Sequence, residues 1–148
     1  FFDKMKLISH RGNLFGPNPT NENNPDYILN AIEQGYDVEI DVWYINQKLY
    51  LGHDYGKYEI ELEFLLNEKL WCHAKNLASL NFMLEHPQIN CFWHQTDDFT
   101  ITSKGFIWTY PNKETTKKSV IVCLDDNIPN NLDKNNLYGI CGDNVSDW

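Results

Sequence analysis

Apolar and polar residues alternate over short runs through most of this chain, and only three stretches carry the wider spacing of a helix. Lys6–His10 is a β-rich run halted by Gly12, and a loop rich in Gly, Pro and Asn follows from residue 13 to residue 24. Residues 25–35 place Ile28, Ala31 and Ile32 on one face, with Asn24 as N-cap, Pro25 in the first helical position and Gly35 at the stop. That combination predicts a helix. Residues 36–45 and 48–54 predict the two arms of a hairpin turning at Asn46 and Gln47. A short helix is then expected over residues 60–68, a strand over Leu70–Ala74, and a helix over residues 77–85 capped by Asn76. Strand and helix alternate here as in a parallel α/β arrangement. After Pro87 the helical spacing stops. Residues 90–94, 105–110, 119–124 and 137–141 predict strands joined by short polar connections.

Size and charge narrow the partners. With 148 residues, 42% of them apolar, residues 1–148 suit one domain with a single core. Phe1 to Lys4 precede Met5 and are left out of the fold reading. A net charge of -9 with only 12 Lys and Arg argues against a nucleic-acid groove or an anionic membrane surface. A chain this acidic must gather positive charge locally to handle phosphate, from a metal ion or a few placed cations. No apolar run reaches the roughly 18 residues that span a bilayer, and no secretory pattern opens the chain. The expectation is a cytoplasmic protein with no stable membrane insertion. Cys72, Cys91, Cys123 and Cys141 form no C-x-x-C pair and sit in apolar runs, as free core thiols do.

Candidate chemistry lies at the ends of the early strands. Glu39 and Asp41 are two apart, so on a strand both carboxylates point to one side, away from Val38, Ile40 and Val42. Two such oxygen donors are half of a hard-cation site for Mg²⁺ or Ca²⁺. Alone, the pattern also describes a half-exposed strand. His10 precedes Arg11 and Gly12, a histidine and a guanidinium at a tight turn, suited to proton transfer beside a phosphate. His53 is followed by Asp54, which can orient an imidazole. Each motif is short, and the combination in order is what carries meaning.

That ordered set resembles the glycerophosphodiester phosphodiesterase family, within the wider group of phosphatidylinositol phospholipase C-like phosphodiesterases. The matching residues are His10-Arg11-Gly12, Glu22-Asn23, Glu39-Ile40-Asp41 and His53-Asp54, about a third of the chain. The resemblance implies that His10 and His53 are the general acid and base. It also implies that Glu39 and Asp41 bind a divalent metal and that Arg11 contacts phosphate. Where the family has Glu-x-Lys, this chain has His73-Ala74-Lys75. His73 becomes the third metal ligand, which admits Mn²⁺ or Zn²⁺ beside Mg²⁺ or Ca²⁺, and Lys75 a further phosphate contact. Weaker matches at residues 106–110 and 139–143 fall in the same order as the family's late strands.

The family is built on a (β/α)₈ barrel of at least about 200 residues. The implied fold is therefore a reduced TIM-type (β/α) barrel with few helices in the C-terminal half. Its uncovered apolar exterior makes a homodimer an expectation. The implied substrate is a small phosphodiester, cleaved to a cyclic phosphate that water then opens or that is itself the final product, as in the related lyases. The competing expectations are a phosphodiester-binding module without turnover and a structural domain whose motif is residual.

Overall fold

The computed structural model describes residues 5–124 and 132–148, so residues 1–4 lie outside it. The strands are β1 (Lys6–His10), β2 (Asp37–Ile45), β3 (Lys48–Leu51), β4 (Tyr58–Ile60), β5 (Leu70–Ala74), β6 (Cys91–Phe92), β7 (Phe99–Ile101), β8 (Ile107–Thr109), β9 (Ser119–Cys123) and β10 (Gly139–Gly142). Three helices interrupt them: α1 (Pro25–Glu33), α2 (Leu62–Leu65) and α3 (Leu77–Leu84). The Asn24 side chain accepts from Asp26 N–H at the start of α1, and Asn76 and Ser79 form a capping box on α3. Both caps satisfy backbone donors that the first helical turn leaves free.

A parallel array runs in the order β6, β5, β2, β1, β10, β9, β8. Antiparallel strands extend it: β3 and β4 beyond β2, and β7 beyond β8. This single mixed sheet of ten strands with three short helices replaces the expected reduced TIM-type barrel. The reason lies in the connections. Strand–helix alternation ends with α3, and the links from β6 to β9 are a hairpin and a turn-rich stretch with no helix. Among the described residues no strand ladder joins β6 to β7 or β8. They meet through isolated hydrogen bonds, such as Ser103 N–H to the Cys91 carbonyl at 2.7 Å.

Two faces of the sheet bury different cores. Val38, Ile40, Val42, Cys72 and Ala74 pack with Ile28 and Ala31 of α1 and Met83 of α3. Opposite them, Ile8, Trp71, Phe92, Trp108, Val120 and Cys141 form an aromatic-rich cluster. Phe92 of β6 stacks on Trp108 of β8 with ring centroids 4.6 Å apart, so the sheet curls enough to bring its distant strands together. Ile121, Cys123, Leu137 and Ile140 are covered by Met5, Leu132 and Trp148, side chains of the chain itself. All four cysteines are free and buried. Among the described residues, no helix is long and apolar enough to cross a membrane.

Local departures from the sequence expectation also have causes. The helix expected over residues 60–68 shortens to Leu62–Leu65, because Tyr58–Ile60 instead pair with β3 as an edge strand. The second hairpin arm stops at Leu51. The chain turns back there, with Lys57 N–H donating to the Leu51 carbonyl at 2.9 Å, and a Cβ on Gly52 would lie 2.0 Å from the Tyr55 carbonyl oxygen. His53 and Asp54 therefore sit on a loop rather than on a strand.

Candidate functional site

The site forms where β1 leaves the edge of β2 and β3 joins it. His10 pairs with Glu39 in the β1–β2 register, and β3 begins its pairing at Val42. Between them the Asp41 backbone faces the gap. Its N–H donates to Asn23 Oδ1 at 3.0 Å, and its carbonyl accepts from Gly52 N–H at 3.1 Å. Asn23 also donates from Nδ2 to Asp41 Oδ2 at 2.9 Å, fixing the carboxylate and the strand with one side chain. Asn23→Ala would leave that buried N–H and oxygen short of partners and is expected to cost about 2 kcal/mol. Urea denaturation checks this; a change within about 0.5 kcal/mol would show that the fork does not depend on Asn23.

At the end of β1 the chain reverses over His10 to Asn13. The Asn13 N–H donates to the His10 carbonyl at 3.1 Å, with φ at 62° for Arg11 and 98° for Gly12. Positive φ at both central residues is the signature of a primed turn, and Arg11 adopts it at a steric cost that active-site segments tolerate. The turn aims the guanidinium at two acids. Arg11 Nη1 reaches Glu22 Oε1 at 3.2 Å, and Nε lies 3.1 Å from Asp41 Oδ2, close but without the alignment of a hydrogen bond.

Parallel register and strand alternation then gather the acidic pair and two histidines. Glu39 and Asp41 are 3% and 1% exposed. His73 of β5 stands opposite Asp41, its Nδ1 3.4 Å from Asp41 Oδ1 and 3.6 Å from Glu39 Oε2. Across the pair, His10 Nε2 lies 3.8 Å from Glu39 Oε1, and its Nδ1 meets Asp143 Oδ1 at 2.7 Å. Asp143, just past β10, also accepts from Asn13 Nδ2 at 2.8 Å, and Tyr27 donates its hydroxyl to Asn13 Oδ1 at 2.9 Å. A chain of hydrogen bonds thus holds the His10 ring from behind.

Charges in this cluster shift one another. Burial opposes a charged His10, but the Asp143 hydrogen bond and the Glu39 carboxylate outweigh it and raise its pKa above 6.5. Burial likewise opposes a charged His73, while Asp41 and Glu39 lift it to about 9. Burial pushes the Asp41 carboxyl up, and His73, Arg11 and Asn23 together hold it well below the usual range. The His73 and Asp41 shifts describe largely one interaction and count once. A histidine whose folded pKa is raised adds stability that is complete below its unfolded value of 6.5 and is lost as pH climbs through 9. Metal-free protein is therefore expected to lose on the order of 3 kcal/mol between pH 6.5 and pH 9.5. Thermal melts in chelator across that range test it, and a flat profile would contradict the ion pairing.

Two carboxylate oxygens, Glu39 Oε1 and Asp41 Oδ1, are buried without a hydrogen-bond partner. Such orphans are costly unless something else satisfies them. Ligand atoms of Glu39, Asp41 and His73 all lie within 4.8 Å of one another, an arrangement able to hold a metal ion. The structure thus brings together His10, Arg11, Glu39, Asp41 and His73 from the sequence-derived set.

His53 and Lys75 are placed differently. The His53 side chain is 49% exposed, with Nδ1 2.8 Å from Asp54 Oδ1, and it lines a cleft of about 320 Å³ with Arg11, Glu22, Asn23, Tyr55 and Lys57. Arg11 and Asn23 line that cleft and also contact Asp41 of the acidic cluster. Lys75 follows β5 directly and donates its N–H to the Val42 carbonyl at 2.9 Å; among the described residues its ammonium makes no ion pair. Sequence reading assigned no role to Asn13, Asn23 or Asp143. The available signals were the Glu22-Asn23 match for Asn23, the match over residues 139–143 for Asp143, and for Asn13 the density of Asn in the loop after His10, since Asn side chains bond nearby backbone and accept positive φ. Comparison with models of known families, with characterised proteins and with solved structures finds no match.

Proposed function

We propose that the protein is a metal-dependent phosphodiesterase acting on small glycerophosphodiester-type substrates through His10 and His53. One observation carries the proposal. His10, backed by Asp143, faces a buried carboxylate pair, one oxygen of each without a hydrogen-bond partner, at the C-terminal ends of parallel strands, where open α/β sheets place their ligand sites. Glu39, Asp41 and His73 are the residues that would hold the metal, and a bound divalent ion would supply positive charge to a phosphodiester.

The chain's own residues supply the rest. Ionised Asp143 accepts the Nδ1 proton of His10, which leaves Nε2 as the nitrogen that exchanges protons at the site. Asp54 engages His53, which also lines the cleft, through the same atom, and this leaves Nε2 as its proton-exchanging nitrogen. One histidine takes the proton of an attacking hydroxyl as its oxygen bonds to phosphorus, and the other gives a proton to the departing alkoxide. A substrate glycerol hydroxyl as nucleophile yields a cyclic phosphate, and water then opens it. Arg11 and Lys57 give the cleft beside the acidic cluster its cations.

A panel of glycerophosphodiesters incubated with Mg²⁺, Ca²⁺, Mn²⁺ and Zn²⁺ tests the proposal, with Glu39→Ala as control. Turnover that requires metal and Glu39 is expected. The exposed position of His53, apart from the contacts of His10, favours a second reading, a module that binds a phosphodiester without cleaving it. Binding with no product, unchanged in His10→Ala, would select that reading.

A further inference from the structure

We infer that the Glu39–Asp41–His73 cluster selects a first-row transition ion, Zn²⁺ or Mn²⁺, over Mg²⁺ and Ca²⁺; this rests on the metal-binding part of the proposed function. The imidazole of His73 is oriented from two sides. Its Nε2 lies 2.8 Å from the His94 carbonyl oxygen, and a carbonyl only accepts, so Nε2 carries the proton. Its ring stacks on Phe92, with centroids 5.1 Å apart and planes 13° from parallel. Nδ1 is thereby the nitrogen turned to the carboxylates, and a carbonyl behind the far nitrogen is the usual support of a metal-bound histidine.

The oxygens limit the choice further. Asp41 Oδ2 is already engaged by Asn23 and lies beside Arg11, so Asp41 offers Oδ1, which has no hydrogen-bond partner. Glu39 faces His73 with Oε2, 3.6 Å from Nδ1, while its other oxygen, Oε1, is buried without a hydrogen-bond partner on the His10 side. The cluster thus combines one nitrogen with few oxygens. Ca²⁺ seeks about six to eight oxygens, and Mg²⁺ favours oxygen throughout. Imidazole suits Zn²⁺ best; Mn²⁺ stands lowest in the first-row order of affinity and shares the oxygen preference of Mg²⁺, so among these ions it is the weaker of the two the cluster selects.

Chelator-treated whole protein, titrated with each of the four ions against a chromophoric competitor, gives the affinities without any substrate. Zn²⁺ and Mn²⁺ are expected to bind on the order of 100-fold more tightly than Mg²⁺ or Ca²⁺. With Mn²⁺ bound, pulsed electron paramagnetic resonance should show ¹⁴N modulation from a ligated imidazole. His73→Glu is expected to remove that modulation and narrow the gap between Mn²⁺ and Mg²⁺ at least tenfold. Equal or tighter Mg²⁺ binding, or absent ¹⁴N coupling in the wild-type protein, would overturn the inference even if the variant fails to fold. Selective metal binding with no turnover would remove the phosphodiesterase proposal alone, and turnover supported equally by all four ions at equal affinity would remove only this inference.

Discussion

Replacing His10 with Ala is expected to slow diester cleavage by about 10³-fold while leaving the fold intact. The rate falls because Nε2 is the proton-exchanging atom beside Glu39, and no neighbouring side chain can reproduce its position. The fold persists because the ring is only partly buried and Asp143 keeps Asn13 as a partner at 2.8 Å. Asp143→Asn should slow the reaction through a different route. An amide can present N–H to the ring, which lets the imidazole carry its proton on Nε2 and raises the population of the wrong tautomer. His10→Ala within tenfold of the wild-type rate, with matching circular dichroism, would remove His10 from the mechanism.

The second large effect is expected at Asp41. Asp41→Asn removes the carboxylate that lies 3.1 Å from Arg11 Nε and 3.4 Å from His73 Nδ1 in a nearly solvent-free position. Two cations would then share Glu22 and Glu39 alone, and breaking a buried pair from one side costs about 3–5 kcal/mol. The same change removes one of three metal-binding groups, so stability and metal affinity should fall together. Denaturant unfolding with and without Zn²⁺ measures both. Wild-type protein should gain stability from the ion and the variant should gain little; equal gains would place the ion elsewhere.

The sequence was most legible where chemistry repeats with strand period. Alternation alone put Glu39 and Asp41 on one face and Val38, Ile40 and Val42 on the other, and β2 has that arrangement with the apolar set against α1 and α3. Caps at Asn24 and Asn76 likewise marked real helix starts. The overall architecture was not legible in the same way, since short strands do not state which neighbours they pair with. Tyr58–Ile60 pairing with β3, and β7 folding back on β8, are edge additions that no local pattern specifies. The pairing of His10 with Asp143 spans 133 positions, and only the β1–β10 register brings the two together. His53 shows the converse. Its motif was plain, yet the turn-back at Gly52 moved it from the predicted strand to an exposed loop.

Phosphorus NMR of a glycerophosphodiester mixed with the whole protein tests the central claim most directly. With the metal-loaded protein the diester resonance should decay, giving a cyclic phosphate or monoester signal, and chelator or Glu39→Ala should stop the decay. A diester signal that stays unchanged with protein shown to hold its ion would contradict metal-dependent cleavage at this site.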